Sequence, residues 1–325
     1  MIEELSKDIP DEHALEPQST VCCNTAPSSS HSAPLEIRTT FTNALVKVER
    51  VIGLLEAQGI KYSSSSSVGS LFSKVRQLNK QYALDPIGYE QRTFLASIEA
   101  LWIAEALEIA IGEPGAREVV HRIVTSDMSL SERRWSNGKD ALWELDLYRR
   151  LKLGGAEVIF GEPDLVLELS NGLGKLGLAC KKTYSESGVA EALNGGCDQL
   201  RKHRMPGIVA FNLDDLVDER SVLSVPSNET LHEALISKVR KFVTNHAATL
   251  NRAIERGECD GVLISITVVS QVHDAASPIR LARAPMLYGY PGELSSTTKL
   301  RLEAFRQCLD RAASRQHYFG ACPNL

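Results

Sequence analysis

The sequence lacks a run of about 20 apolar residues, a paired cysteine motif and a secretory leader. A membrane-spanning helix needs such a run, so none is predicted. The seven cysteines are odd in number and form no Cys-x-x-Cys framework, which fits free thiols in a reducing cytoplasm better than a disulfide scaffold. The first residues are acidic, whereas a signal peptide begins with basic residues and an apolar run. We therefore expect a soluble, cytoplasmic protein with no membrane partner.

Motifs for several other kinds of site are also missing. The serine run Ser63–Ser67 lacks the Gly-Lys-Ser ending of a phosphate-binding loop, so it is interpreted as a loop and helix start. Gly172 and Gly174 precede a strand rather than a helix, which indicates a hairpin turn instead of a nucleotide loop. The eight histidines show no zinc-ligand spacing. The net charge of -5 excludes a uniformly basic surface, but a local basic groove would suffice for nucleic acid.

The chain divides by composition into three parts. Residues 1–36 are rich in Ser, Pro, Thr and acidic groups without an apolar period, and they are predicted to be a disordered tail. Residues 37–128 carry apolar side chains at three- and four-residue steps, which predicts an all-helical N-terminal domain. Residues 129–325 alternate short β-rich runs with helical segments. The expected fold class is therefore α/β, with a mixed central sheet flanked by helices and preceded by the helical unit.

Five strands and four helices are predicted in the α/β part. The strands span 156–160, 164–169, 176–180, 207–213 and 261–269, and the helices span about 139–152, 188–203, 229–256 and 297–313. The runs 208–213 and 262–268 are almost continuously apolar, which is typical of central strands covered on both faces.

Acidic and basic residues between residues 138 and 199 are spaced so that they could come together in one site. Asp164 follows Pro163 at the start of one predicted strand, and Lys181 ends the next, so a hairpin can return Lys181 to the level of Asp164. Position 179 and Lys181 are two residues apart and share a face of their strand. Hydrolysis of a phosphodiester needs a metal that activates water and binds phosphate, and a lysine can orient the water. These residue types suit that chemistry.

In this order, Glu144, Pro163-Asp164, Cys180-Lys181 and Gln199 resemble the motifs of the PD-(D/E)XK, or restriction-endonuclease-like, nuclease superfamily. The resemblance covers about residues 139–215. It implies that Asp164 and Glu144 bind Mg²⁺, or Mn²⁺ in its place, together with the backbone carbonyl of Cys180. It also implies that Lys181 is catalytic and that Gln199 approaches the site or the substrate phosphate.

The chain departs from the family at Ala179, where the motif has Asp or Glu. An alanine side chain cannot hold a metal, and three explanations stay open. The chain is a variant deliberately inactivated by a Glu-to-Ala change at this position, another carboxylate (Glu168, Glu186 or Glu191) replaces the missing one, or the domain is a degenerate module that binds without cutting.

The resulting hypothesis is a Mg²⁺-dependent DNA endonuclease of restriction or anti-phage defence, inactivated at Ala179. RNA is a second candidate substrate, and a homodimer or a partner subunit is compatible with the sequence. The competing hypothesis is a non-catalytic nucleic-acid-binding or assembly module on the same fold. A third, a purely helical-scaffold interaction protein, predicts that Asp164 and Lys181 lie on opposite faces of the sheet.

Overall fold

A computed structural model describes residues 33–84, 91–130, 132–170, 172–217, 222–274, 279–290 and 292–320. Four helices come first: α1 (Ala33–Ala57), α2 (Ser67–Leu84), α3 (Gln91–Ala110) and α4 (Arg117–Thr125). The predicted tail lies outside the described residues except for residues 33–36, which begin α1. The helical character predicted for residues 37–128 is confirmed.

The remaining described residues form a mixed sheet with helices on both faces. Its strands are β1 (Glu157–Phe160), β2 (Leu165–Leu169), β3 (Gly174–Lys182), β4 (Gly207–Asn212), β5 (Leu223–Val225), β6 (Gly261–Val272) and β7 (Ile279–Tyr288). The helices are α5 (Asn137–Leu153), α6 (Val189–Lys202), α7 (Asn228–Glu255) and α8 (Ser296–Gly320). The coarse prediction of an α/β fold with a mixed sheet is confirmed.

The sheet combines an antiparallel meander with a parallel centre. The strands β1, β2 and β3 pair antiparallel, while β3, β4 and β6 pair parallel to one another. Strand β6 also pairs with β5 near its end and with β7 along most of its length. Every residue of β4 is buried, as its apolar sequence predicts.

Two apolar cores lie on the two faces of the sheet. One face packs against α6 and α7, with Ala179, Val209 and Phe211 among its buried side chains. The other packs against α5 and α8, and this core continues without interruption into α1, α2, α3 and α4. Helix α5 is therefore buried between the sheet and the N-terminal helices, and even its charged residues Glu144, Asp146 and Arg150 are buried.

Strands β5 and β7 were missed by the sequence analysis. Strand β5 has three residues, too few for a periodic pattern. Strand β7 contains Pro285 and two arginines, which weaken a strand pattern. Among the described strands β7 pairs with β6 alone, and such an edge position tolerates proline. None of the helices in the described ranges is long and apolar enough to cross a membrane.

Candidate functional site

Glu144 is placed on α5 by a well-defined helix start. Ser136 caps the helix by accepting a hydrogen bond from the backbone N–H of Gly138. Two turns later the Glu144 carboxylate is almost completely buried, and its Oε2 accepts a hydrogen bond from Arg122 at 2.6 Å. Burial raises the pKa of Glu144, while the hydrogen bond and charge of Arg122 lower it. Glu144 is thus a buried carboxylate with one cationic partner, supplied by α4.

Asp164 lies in the turn between β1 and β2, immediately before β2. Its Oδ2 accepts a hydrogen bond from the backbone N–H of Cys180 at 2.7 Å, which fixes the carboxylate against β3. Burial, and then the negative charge of Glu144, raises the pKa of Asp164 to about 7, against the effects of Lys181, the Cys180 N–H and Arg122. Two carboxylates with raised pKa values, one from α5 and one from the turn before β2, therefore lie close enough for Glu144 to act on Asp164.

Lys181 is held beside Asp164 by Gln199. The Lys181 ammonium donates to Oε1 of Gln199, and the Gln199 amide donates in turn to the carbonyl oxygen of Pro163 at 3.5 Å. These contacts join β3, α6 and the turn that carries Asp164. Since Lys181 also lowers the pKa of Asp164, the two groups interact rather than lying apart on opposite faces of the sheet. This arrangement is not the one that the helical-scaffold hypothesis predicts.

Ala179 faces the core beneath α6. It is fully buried and belongs to the same apolar cluster as Val189, Leu193 and Cys197. Cys180 points to the other face, and its thiol is buried, which raises its pKa. The contact of Cys180 with Asp164 runs through its backbone N–H. The role predicted for its carbonyl oxygen stays a prediction.

The three carboxylates suggested as substitutes at position 179 lie in different settings. Glu168 pairs with Lys175 at the far end of β2, about 13 Å from Asp164 along the strand, so it is wrong as a substitute ligand. Glu186 bonds to His246 of α7 at 2.5 Å. Glu191 is exposed in the first turn of α6. The charges that act most strongly on Asp164 come instead from Glu144, Lys181 and Arg122.

Three residues near the site were not found from sequence. Arg122 comes from α4, and no spacing relates it to the motif residues. Asp140 lies one turn before Glu144 on α5 and accepts a hydrogen bond from the hydroxyl of Tyr184 at 2.8 Å. Its four-residue separation from Glu144 was a usable signal, because such residues share a helix face. Asp140 acts electrostatically on Glu144, so the polar group extends towards the start of α5.

Glu144 and Asp164 provide only part of the oxygen coordination that a hard divalent cation needs. Mg²⁺ is commonly bound by one or two carboxylates, with water and phosphate completing its coordination. Glu144 and Asp164 offer such oxygens. Across the part of the chain that the structure describes, no three His, Cys, Asp or Glu side chains are grouped closely enough to hold a metal by themselves. The site fits a cation that keeps several waters.

No protein-family model, curated protein or solved structure matches this chain. The assignment of function therefore depends on the geometry of the site.

A second polar cluster lies on the opposite face of β3. Lys182, the neighbour of Lys181, bonds to Asn212 Oδ1 at 2.7 Å and to Asp215 Oδ2 at 2.8 Å. These residues line a cavity of about 90 Å³, closed on the helical side by α3 and α5. Glu99 of α3 also lines the cavity, and burial raises its pKa to about 7. Consecutive lysines of one strand thus serve two clusters, and Lys182 also acts on Asp140 of the first one.

Glu99→Gln is expected to reduce the loss of stability on going from pH 5 to pH 8 by about 2 kcal/mol. Because the folded-state pKa of Glu99 is raised, the folded protein binds this proton more tightly than the unfolded chain does. Stability is therefore lost as the pH rises from about 4.5 to 7. Urea unfolding at the two pH values measures the effect. Glu56→Gln, at an exposed carboxylate of α1, should change stability by less than about 0.5 kcal/mol.

Proposed function

We propose that this protein is a metal-dependent nuclease with a restriction-endonuclease-like fold, acting on DNA in the cytoplasm and lacking one carboxylate of its catalytic set at Ala179. The observation that carries the proposal is the link from Lys181 through Gln199 to Pro163, directly beside the pair Glu144 and Asp164. The order of these residues in the sequence suggested the superfamily, and their proximity in the fold supports it.

Lys181 is suited to act on the reacting phosphate. Its ammonium is half-buried and fixed by the Gln199 amide, so little side-chain entropy remains to be lost when substrate binds. A positioned cation of this kind stabilises the charge that develops in the pentacovalent transition state, or orients the attacking water. Arg122 adds a second positive charge within reach of Glu144.

Asp164 and Glu144 are the residues that would hold Mg²⁺ or Mn²⁺. When bound, the cation supplies Lewis-acid stabilisation of the phosphate and lowers the pKa of a coordinated water. Their raised pKa values fit this role: burial raises both, and the charge of Glu144 adds to the effect at Asp164. A bound cation would offset the electrostatic repulsion between the two carboxylates.

A second candidate, a nucleic-acid-binding module that does not cut, is favoured by two observations. Ala179 is fully packed against α6, as a core residue is. Arg122 also pairs with Glu144 and partly neutralises one of the two carboxylates. In this candidate the same site binds phosphate through Lys181 and Arg122 without hydrolysing it.

Ala179→Glu is expected to give Mg²⁺-dependent cleavage of plasmid or linear DNA, measured beside single-stranded DNA and RNA. Adding Asp164→Ala or Lys181→Ala to Ala179→Glu should abolish that cleavage, because one removes a metal ligand and the other the positioned cation. Ala179→Gln is the matched control, since it has the same size without the charge. Thermal unfolding gives a second readout: Mg²⁺ at 100 times its dissociation constant should stabilise Ala179→Glu by about 2.7 kcal/mol.

Three outcomes discriminate between the candidates. Cleavage by Ala179→Glu alone supports a nuclease whose site is incomplete at this position. Cleavage by the unchanged chain that depends on Asp164 and Lys181 shows that Glu144 and Asp164 suffice. If no variant cuts any substrate and Mg²⁺ leaves thermal unfolding unchanged, the nuclease proposal is wrong and the binding module takes its place.

A further inference from the structure

An exposed tryptophan stands beside the site at the start of α5. Trp135 has 63% of its surface exposed, although Trp143 of the same region is buried. Its indole N–H, the only hydrogen-bond donor of the side chain, lies near enough to Asp140 to lower the pKa of that carboxyl, against the larger raising effect of burial. Asp140 precedes Glu144 by one helical turn, a rise of about 6 Å. The indole therefore lies beside Asp140 while most of the side chain is exposed to solvent.

The segment that carries Trp135 is held from several sides. We call residues 129–136 the Trp135 loop; residue 131 lies outside the described ranges. The ammonium of Lys139, itself buried in α5, donates to the carbonyl oxygens of Glu132 and Arg134. Burying a charged ammonium group costs free energy, and the two loop carbonyl oxygens offset part of that cost. These two bonds fix the backbone that immediately precedes Trp135.

Further contacts tie the loop to other elements. Arg134 Nε donates to Asp127 Oδ2 at 2.7 Å, and the Ser136 hydroxyl donates to the backbone carbonyl of Asp127. Arg133 donates to the carbonyl of Val217, beyond β4. The exposed indole is consequently presented by an ordered support, so a flat ligand could stack on it without first ordering the loop.

From this geometry we infer that Trp135 is a stacking platform for an unpaired base of the nucleic acid whose phosphate occupies the Asp164–Lys181 site, so that the substrate is single-stranded there. The inference deepens the proposed function and rests on it. A base inside a duplex is covered on both faces by its neighbours, whereas an unpaired base offers a free face to an aromatic ring.

The test uses the intrinsic fluorescence of the full chain in EDTA, where no cleavage can occur. The protein has three tryptophans, and of those in the described ranges only Trp135 is highly exposed. A single strand of about 12 nucleotides should quench the emission, and a blunt duplex annealed from two fully complementary strands should not. Trp135→Ala should abolish the quenching and weaken single-strand binding, measured by anisotropy, by about 5- to 100-fold. Trp135→Phe should keep most of the affinity because it keeps an aromatic face.

Leu300→Ala serves as the control, because Leu300 is similarly exposed but lies on α8. It should bind single strands like the unchanged protein. The inference is overturned if Trp135→Ala binds single strands as tightly as the unchanged protein does, or if it weakens duplex and single-strand binding equally. It is also overturned if no nucleic acid quenches the emission, as expected if Trp135 contacts a protein instead.

Failure of this inference is distinguishable from failure of the proposed nuclease. Quenching that depends on Trp135 without cleavage by Ala179→Glu supports the platform and removes the catalytic proposal. Cleavage by Ala179→Glu that is indifferent to Trp135→Ala, on single and double strands alike, leaves the nuclease standing and removes the platform.

Discussion

Arg122→Met is expected to destabilise the fold by about 3 to 5 kcal/mol at pH 8. The substitution leaves Glu144 buried without its cationic partner, and burial of an uncompensated charge is strongly unfavourable. Burial already raises the pKa of Glu144, and loss of Arg122 raises it further, so protonation relieves the penalty in acid. The loss measured by urea unfolding should therefore be smaller at pH 5 than at pH 8.

Two variants separate this explanation from a simple packing effect. Arg122→Met combined with Glu144→Gln should recover most of the lost stability, because the buried charge is gone. Arg117→Met, on the same helix but exposed and bonded to the Gln58 carbonyl, should cost less than about 1 kcal/mol. Equal losses at both pH values, or no recovery in the double variant, would contradict an electrostatic role for Arg122.

Lys182→Met is expected to cost about 3 to 5 kcal/mol as well. Lys182 and Asp215 are both almost completely buried and lie 2.8 Å apart. Lys182 also opposes the effect of burial on the pKa of Asp214, so its removal acts on two carboxylates at once. Methionine keeps most of the volume of lysine, and the loss therefore reports the charge rather than a cavity.

Lys175→Met is the matched control on the same strand. Lys175 is exposed near the start of β3, and its replacement should change stability by less than about 0.5 kcal/mol. Adding Asp215→Asn to Lys182→Met should restore part of the loss. Both comparisons are made by chemical denaturation at pH 8. A loss for Lys182→Met no larger than for Lys175→Met would show that the buried pair contributes little.

The long elements and the grouping of the site were predictable from sequence. The predicted ranges of α5, α6 and α7 agree with the observed ones to within about two residues. Polar caps mark the starts of α5 and α7, where Ser136 and Ser227 accept backbone hydrogen bonds. Asp164 and Lys181 were placed together by one argument, the return of a short hairpin. That argument needs only local chain geometry.

The contacts that could not be predicted from the sequence join elements that are far apart along the chain. Arg122 reaches Glu144 from a separate helix, and an isolated arginine on an amphipathic helix gives no sign of its partner. The pairing of Lys182 with Asp215 depends on the parallel register of β3 and β4. Neither contact leaves a periodic signal, since both are decided by how α4, α5 and the sheet pack.

Because α5 is buried on all sides, we expect the N-terminal helices and the sheet to fold as one cooperative unit. The N-terminal helices complete the core that the sheet needs, and they also supply the cation opposite Glu144. A fragment beginning at residue 129 would expose that apolar surface and leave the carboxylate without its partner. Unfolding of the full chain should accordingly follow one transition, reported identically by tryptophan fluorescence and by helical circular dichroism. The helical region thus completes the Glu144 side of the site, and a truncated protein without it would lack Arg122.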